Sequence, residues 1–212
     1  SLCDWSSDVC SSDLLKILLP LTLIGIFAFA SCQKTETQTQ TPVNGLSELE
    51  KTNLLFMREE EKLARDVYLY AFDLYGLQVF SNISGSEQVH MDKLLELLTS
   101  YNLTDPASAE KGVFNNPDLQ TLYNDLIAQS DLSLEDALKV GATIEDLDIF
   151  DLDNAISTTS RSDIIQVYEL LKCGSENHMR AFSKQLNNRG ITYVPQYISQ
   201  AEYDTILSGT NG

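Results

Sequence analysis

The sequence predicts an all-α domain: four long helices in two pairs, joined by one long connection that carries a short extra helix. Three observations predict it. Apolar residues recur at helical spacing through four segments between residues 46 and 188. Glycine and proline fall mostly between those segments. Over the same span no strand pattern competes.

The first helix runs from Leu46 to Tyr75 without glycine or proline, places Leu55, Phe56, Leu63, Val67, Tyr70, Ala71 and Leu74 near one face, and ends at Gly76. The second is expected from about Ser84 to Tyr101, with Asn102 and Asp105-Pro106 as its stop. A connection with Pro106 and Gly112 follows, then the amphipathic stretch PDLQTLYNDLIAQS. The third long helix opens at Ser133-Leu134-Glu135-Asp136, where the Ser133 hydroxyl can cap the third helical amide, and continues to about Thr158. The fourth runs from about Ser162 to Asn188, interrupted by Gly174. Residues 46–188 are thus the helical domain and 189–212 a tail.

Residues 1–13 resemble a translated adapter or fusion scar and are set aside from fold reasoning. Residues 14–32 form an apolar run with Lys16 near its start, the pattern of a secretion signal. Its end, Phe29-Ala30-Ser31-Cys32, resembles a bacterial lipobox, which makes Cys32 the expected lipidation site. A retained membrane anchor is the alternative, but the run contains Pro20 and is short for a span of about 20 residues. Residues 33–45, rich in Thr and Gln, read as a tether. The expected location is the cell envelope, with the domain held to a membrane through the lipid alone.

The formal charge of −17 repels nucleic-acid phosphates and anionic membrane surfaces, which leaves metal cations as the natural charged partners. Only two histidines occur in the chain, and each lies in an acidic cluster of the second helix of a pair. Glu87 and His90 are three residues apart, so both share a helix face and could reach one metal. The matching segment of the fourth helix holds Glu176 and His178, and the third offers Glu145 and Asp148 at i and i+3. The first helix offers Glu59, Glu60 and Glu61. A bundle that holds two metals needs one carboxylate from each of two helices and Glu-x-x-His from each of the other two. Carboxylates with imidazole suit iron or manganese.

Glu61-Lys62-Leu63-Ala64-Arg65, with Tyr68 seven residues after Glu61, resembles the first helix of rubrerythrin, and Glu87-Gln88-Val89-His90 resembles its second. Glu145-x-x-Asp148 is similar to that family's third-helix pair, and His178-Met179-Arg180-Ala181-Phe182 to its fourth helix. A closer resemblance is to a ferritin-like domain family of unknown function, number 2202, in the segments MREEEKLARDVY, FSNISGSEQVHM, GVFNNPDLQTLYNDL and GSENHMRAF. The resemblance implies a ferritin-like four-helix bundle with a long crossover. It also implies two iron ions, or manganese, held by Glu61, Glu87, His90, Glu145 and His178. The activity implied is oxidation of Fe(II) or reduction of O2 or H2O2; a second copy of the chain, as a homodimer, is the one protein partner considered. Tyr68 is the candidate catalytic tyrosine, able to pass an electron or hydrogen-bond a ligand, with aromatic core as its plainer use.

Two departures stand out. Asp148 is one methylene shorter than the family's glutamate, so its reach as a ligand is in question. Glu176 precedes His178 by two positions, which on a regular helix points them about 200° apart. Either a bulge near Gly174 realigns them, or the fourth helix gives His178 alone. Plainer readings stand beside these: Ser84-x-x-Glu87 as a capping box, and Glu59-Glu60-Glu61 as a solvated face. A non-catalytic iron-binding or storage module and a metal-free helical scaffold are the competing functions.

Overall fold

A computed structural model describes residues 45–209; the expected scar, signal, lipidated Cys32 and nearly all of the tether lie outside the described residues. The described chain is all-α, six helices with no strand: α1 (Glu48–Tyr75), α2 (Gln78–Ser100), α3 (Pro117–Ser130), α4 (Leu134–Ser157), α5 (Ser162–Asn187) and α6 (Gln200–Ser208). None is long and apolar enough to cross a membrane.

Side-chain caps set several boundaries. Ser47 and Glu50 form a reciprocal capping box that starts α1. Asn116 caps α3, with Pro117 at its first position. Ser133 starts α4, its Oγ accepting from the Asp136 amide at 3.0 Å. Gly76 ends α1 in the left-handed region at φ 64°, a conformation other residues adopt only with strain.

Packing makes a closed circuit: α1 lies against α2 and α4, and α5 against the same two helices. The α3 helix lies over α1 and α4, and α6 docks on α5. Two buried apolar clusters fill the interior. One gathers Leu54 and Met57 of α1, Leu94 and Leu98 of α2, Leu152 of α4 and Tyr168 and Leu171 of α5. The other gathers Leu63 and Val67, Phe80 and Ile83, Ile144 and Ile149, and Met179 and Phe182 of the same four helices. Along α1, α2 and α5 the interval between the clusters is occupied by buried acids or histidines.

Three elements differ from the sequence expectation. Helix α2 begins at Gln78, six residues before Ser84, because Phe80 and Ile83 are drawn into the apolar core and carry the poor helix formers Ser81 and Asn82 with them. Helix α5 runs through Gly174 without interruption. The expected tail contains α6, whose Tyr203 and Ile206 are buried.

Asp146 holds the segment that leads into this helix. Asp146 of α4 is fully buried and accepts from the Tyr193 hydroxyl at 2.8 Å and from the backbone amides of Gln196, Tyr197 and Ile198. A carboxylate that takes this many donors fixes the turn leading into α6. Asp146→Ala is expected to lower the unfolding free energy by about 3 kcal/mol, because buried amides lose a charged acceptor. Urea unfolding with limited proteolysis checks it: cleavage should appear first between residues 190 and 200, and an unchanged midpoint with an uncut tail would refute the role.

Candidate metal centre

Buried groups meet where the four packed helices face one another between the apolar clusters. Glu87 of α2 is central. Its Oε2 lies 2.8 Å from His90 Nδ1, one turn along the same helix, and its Oε1 lies 2.8 Å from His178 Nδ1 on α5. Glu61 Oε2 of α1 reaches the same His90 nitrogen at 3.0 Å, and Glu145 Oε2 of α4 stands 3.4 Å from His178 Nδ1. The two imidazole rings stack with centroids 5.6 Å apart.

These contacts define two overlapping groups, Glu61–Glu87–His90 and Glu87–Glu145–His178, in each of which one ligand atom per residue lies within 4.8 Å of the others. Glu87 belongs to both. Such an arrangement is what two cations sharing one carboxylate would require. Two carboxylate oxygens of the layer, Glu61 Oε1 and Asp148 Oδ1, lack hydrogen-bond partners. Glu87 Oε1 and His178 Nδ1 stand 2.8 Å apart as an ion pair, so a cation taking the place of the proton between them would meet a ligand atom on each side. The donor set of carboxylate oxygen and imidazole nitrogen, all buried, therefore fits divalent iron or manganese.

The surroundings fix both rings. His178 Nε2 lies 2.9 Å from Ser86 Oγ, which leaves Nδ1 for the carboxylates. His90 Nε2 presses against Gly174, where a Cβ would come within 2.5 Å of it. The glycine that was expected to break α5 instead makes room for a ring from α2. Tyr68, fully buried, donates to Glu145 Oε1 at 2.5 Å and to the Gly141 carbonyl at 3.3 Å. Tyr168 lies in an apolar cluster.

Burial governs the charge state. Burial and the neighbouring Asp148 push Glu61 well above the usual carboxylate range, and burial also raises Glu145. Asp148 is pushed up to about 7 by burial and by Glu145. Burial opposes charge on the histidines too, but their carboxylate partners outweigh it and raise His178 to about 10 and His90 well above its ordinary value. Against the same burial, His178 and His90 hold Glu87 far below the carboxylate range. In the metal-free protein, then, protons on the imidazoles and some acids neutralise the layer.

The structure brings Glu61, Glu87, His90, Glu145 and His178 together, with Tyr68 and Asp148 beside them. Asp148 Oδ2 accepts from the Ser175 hydroxyl. Glu176 lies apart: it is half-buried, in the field of Lys172 and Arg180, because α5 is regular and two residues turn it away from His178. The position three before His178 belongs to Ser175, a site residue that sequence reasoning passed over. The signal was available in the i−3 spacing, which matches Glu87 and His90. Ser84 donates to the Ser81 carbonyl inside α2 and caps nothing, so Glu87 does not close a capping box.

Gly174→Ala is expected to cost about 1–3 kcal/mol by overpacking the His90 ring. The double variant with His90→Ala should lose less than the sum of the two single changes; strict additivity in a denaturation cycle would exclude the contact.

The sequence pattern of a family described as "Uncharacterized protein domain (DUF2202)" matches residues 50–210. The chain is 54% identical over 170 residues to "Uncharacterized protein MJ0754" of the archaeon Methanocaldococcus jannaschii, a match that covers 80% of this chain and 92% of the relative. A structure described as "Crystal structure of hypothetical protein MJ0754 from Methanococcus jannaschii DSM 2661" superposes with a TM-score of 0.78 at 52% identity, over 82% of this chain and 100% of that one.

Proposed function

From the premise that the chain belongs to the DUF2202 family, we propose that it is a ferritin-like four-helix bundle with a long crossover whose buried centre holds two divalent cations, iron ahead of manganese. The observation that carries this reading is the pair of three-residue groups that share Glu87 between two apolar layers. Glu61, Glu87 and His90 would hold one ion, and Glu87, Glu145 and His178 the other. When loaded, an iron pair supplies electrons to O2 or H2O2, which makes the protein a ferroxidase or peroxidase.

The protein's own groups have definite tasks in this reading. The apolar clusters above and below the layer exclude bulk water, which strengthens every electrostatic contact inside. Ser86 and Gly174 hold the imidazoles so that Nδ1 faces the carboxylates. Tyr68 keeps its proton, since burial and the charge of Glu145 push its hydroxyl well above the usual phenol range, and that proton is directed at Glu145 Oε1. This orients Glu145 and leaves Oε2 towards His178.

Loaded with Fe(II), the protein should consume H2O2 faster than the same concentration of free Fe(II), and Glu61→Ala with His90→Ala should abolish the difference. Binding alone should raise stability by about 2.7 kcal/mol at free metal one-hundredfold above the dissociation constant. Thermal unfolding with and without chelator measures this. A midpoint indifferent to iron, manganese and chelator would end the proposal, whereas binding with no gain in peroxide consumption would leave a storage or iron-binding module.

Export and lipid anchoring at Cys32 belong to the same reading and rest on the sequence of residues 14–32. Full-length protein expressed in bacteria should fractionate with membranes and take up labelled fatty acid, and Cys32→Ser should do neither; equal behaviour of the two would remove the anchor.

A further inference from the structure

The buried layer is not equally enclosed on all sides. Helix α3 lies over α1 and α4, and the long connection is tied to α1 through Arg58, Glu59, Lys62 and Asp66. Among the described helices, α2 packs only against α1 and α5, so no other helix covers the seam between α2 and α5. The wall there is one residue thick at two points. His178 Nε2 lies 2.9 Å from the hydroxyl oxygen of Ser86, and His90 Nε2 lies against Gly174; both of these small, uncharged residues are half-buried.

Exposure follows the same direction. The His178 side chain is 9% exposed, against 2% for Glu61, Glu87 and Glu145 and none for His90. His178 is therefore the group through which the layer meets solvent, and Ser86 stands directly on its outer nitrogen. Beside Ser86 the surface is bare: Gly85 is exposed, and a Cβ placed there would meet nothing within 4 Å. Ser86 and Gly174 bring no charge to this side, so it offers a cation no attraction of its own. It suits a small uncharged molecule that can exchange hydrogen bonds with a hydroxyl, whereas a bulky one meets close-packed helix surface.

We propose that Ser86 is the gate of the centre: uncharged oxidants of the size of H2O2 reach the buried layer between α2 and α5, past Ser86 and the edge of His178, and larger hydroperoxides are excluded there. Past Ser86, only the His178 ring lies between the oxidant and the carboxylates of Glu87 and Glu145, which stand against its Nδ1. The identity of the oxidant rests on the two-cation reading above; the position of the opening does not.

Two conservative variants separate a gate from a support of the ring. Ser86→Thr keeps the hydroxyl and adds a methyl group; Ser86→Ala removes the hydroxyl and adds nothing. Dissolved O2, which is paramagnetic, probes access in the metal-free protein through the nuclear magnetic relaxation of the ring C–H groups of the two histidines. Ser86→Thr should weaken the effect of O2 on His178 about twofold, and Ser86→Ala should leave it equal or stronger. With Fe(II) bound, tert-butyl hydroperoxide should be consumed more slowly than H2O2, and Ser86→Ala should narrow that difference about tenfold while Ser86→Thr widens it. Relaxation that is unchanged in Ser86→Thr, or changed alike in both variants, would overturn the gate and leave Ser86 as a hydrogen-bond partner of His178. An O2 effect that responds to Ser86 as expected in a protein that binds neither Fe(II) nor Mn(II) would remove the two-cation centre and uphold the opening.

Discussion

The structure depends on one electrostatic constraint: five buried carboxylates, Glu60, Glu61, Glu87, Glu145 and Asp148, share an interior with two imidazoles. Carboxylates taken out of water remain charged only if something positive is close, and they otherwise take up protons. Both outcomes appear here. Glu87 stays ionised because it has both histidines, whereas Glu61, Glu145 and Asp148 are pushed towards the protonated form. Apolar side chains of the same size would have made a more stable core, so the polar layer is a cost to folding that the flanking clusters must offset.

Helix α1 carries the largest share of that cost. From Arg58 to Lys62 every side chain is buried, and each finds a different environment because successive residues turn by about 100°. Arg58 makes two bonds to Asp105, at 3.0 and 2.8 Å. Glu59 accepts from the amides of Asn115 and Asn116 and so anchors the long connection. Glu60 faces α4, Glu61 meets His90 of α2, and Lys62 is covered by the Phe114 ring. A helix with neighbours on nearly every side can bury a charged run, provided each charge is answered locally.

This explains what the sequence disclosed and what it withheld. The helical content was legible because period and punctuation agree over long segments. The three-residue spacing of Glu87 and His90 was legible for a related reason: it is a local property of one helix, and the two groups stand 2.8 Å apart. Burial of Glu59 and Glu60 was not legible, since a run of acids beside Lys62 and Arg65 has the composition of a solvated face, and only the connection and α4 close over it. The early start of α2 was hidden in the same way, by Phe80 and Ile83 packing where Ser81, Asn82 and Gly85 discourage a helix. Gly174 was read as a local breaker, whereas its reason lies across the interior in His90.

The two halves of the centre are consequently unequal. The α1–α2 pair supplies Glu61, Glu87 and His90, and the ring of His90 lies in the space that the absent side chain of Gly174 leaves. The α4–α5 pair supplies Glu145 and His178, but the position equivalent to Glu87 is Ser175, whose hydroxyl donates to Asp148 in place of offering a second carboxylate. In the two-cation reading Glu87 would therefore serve both positions, and each would have two carboxylates and one imidazole.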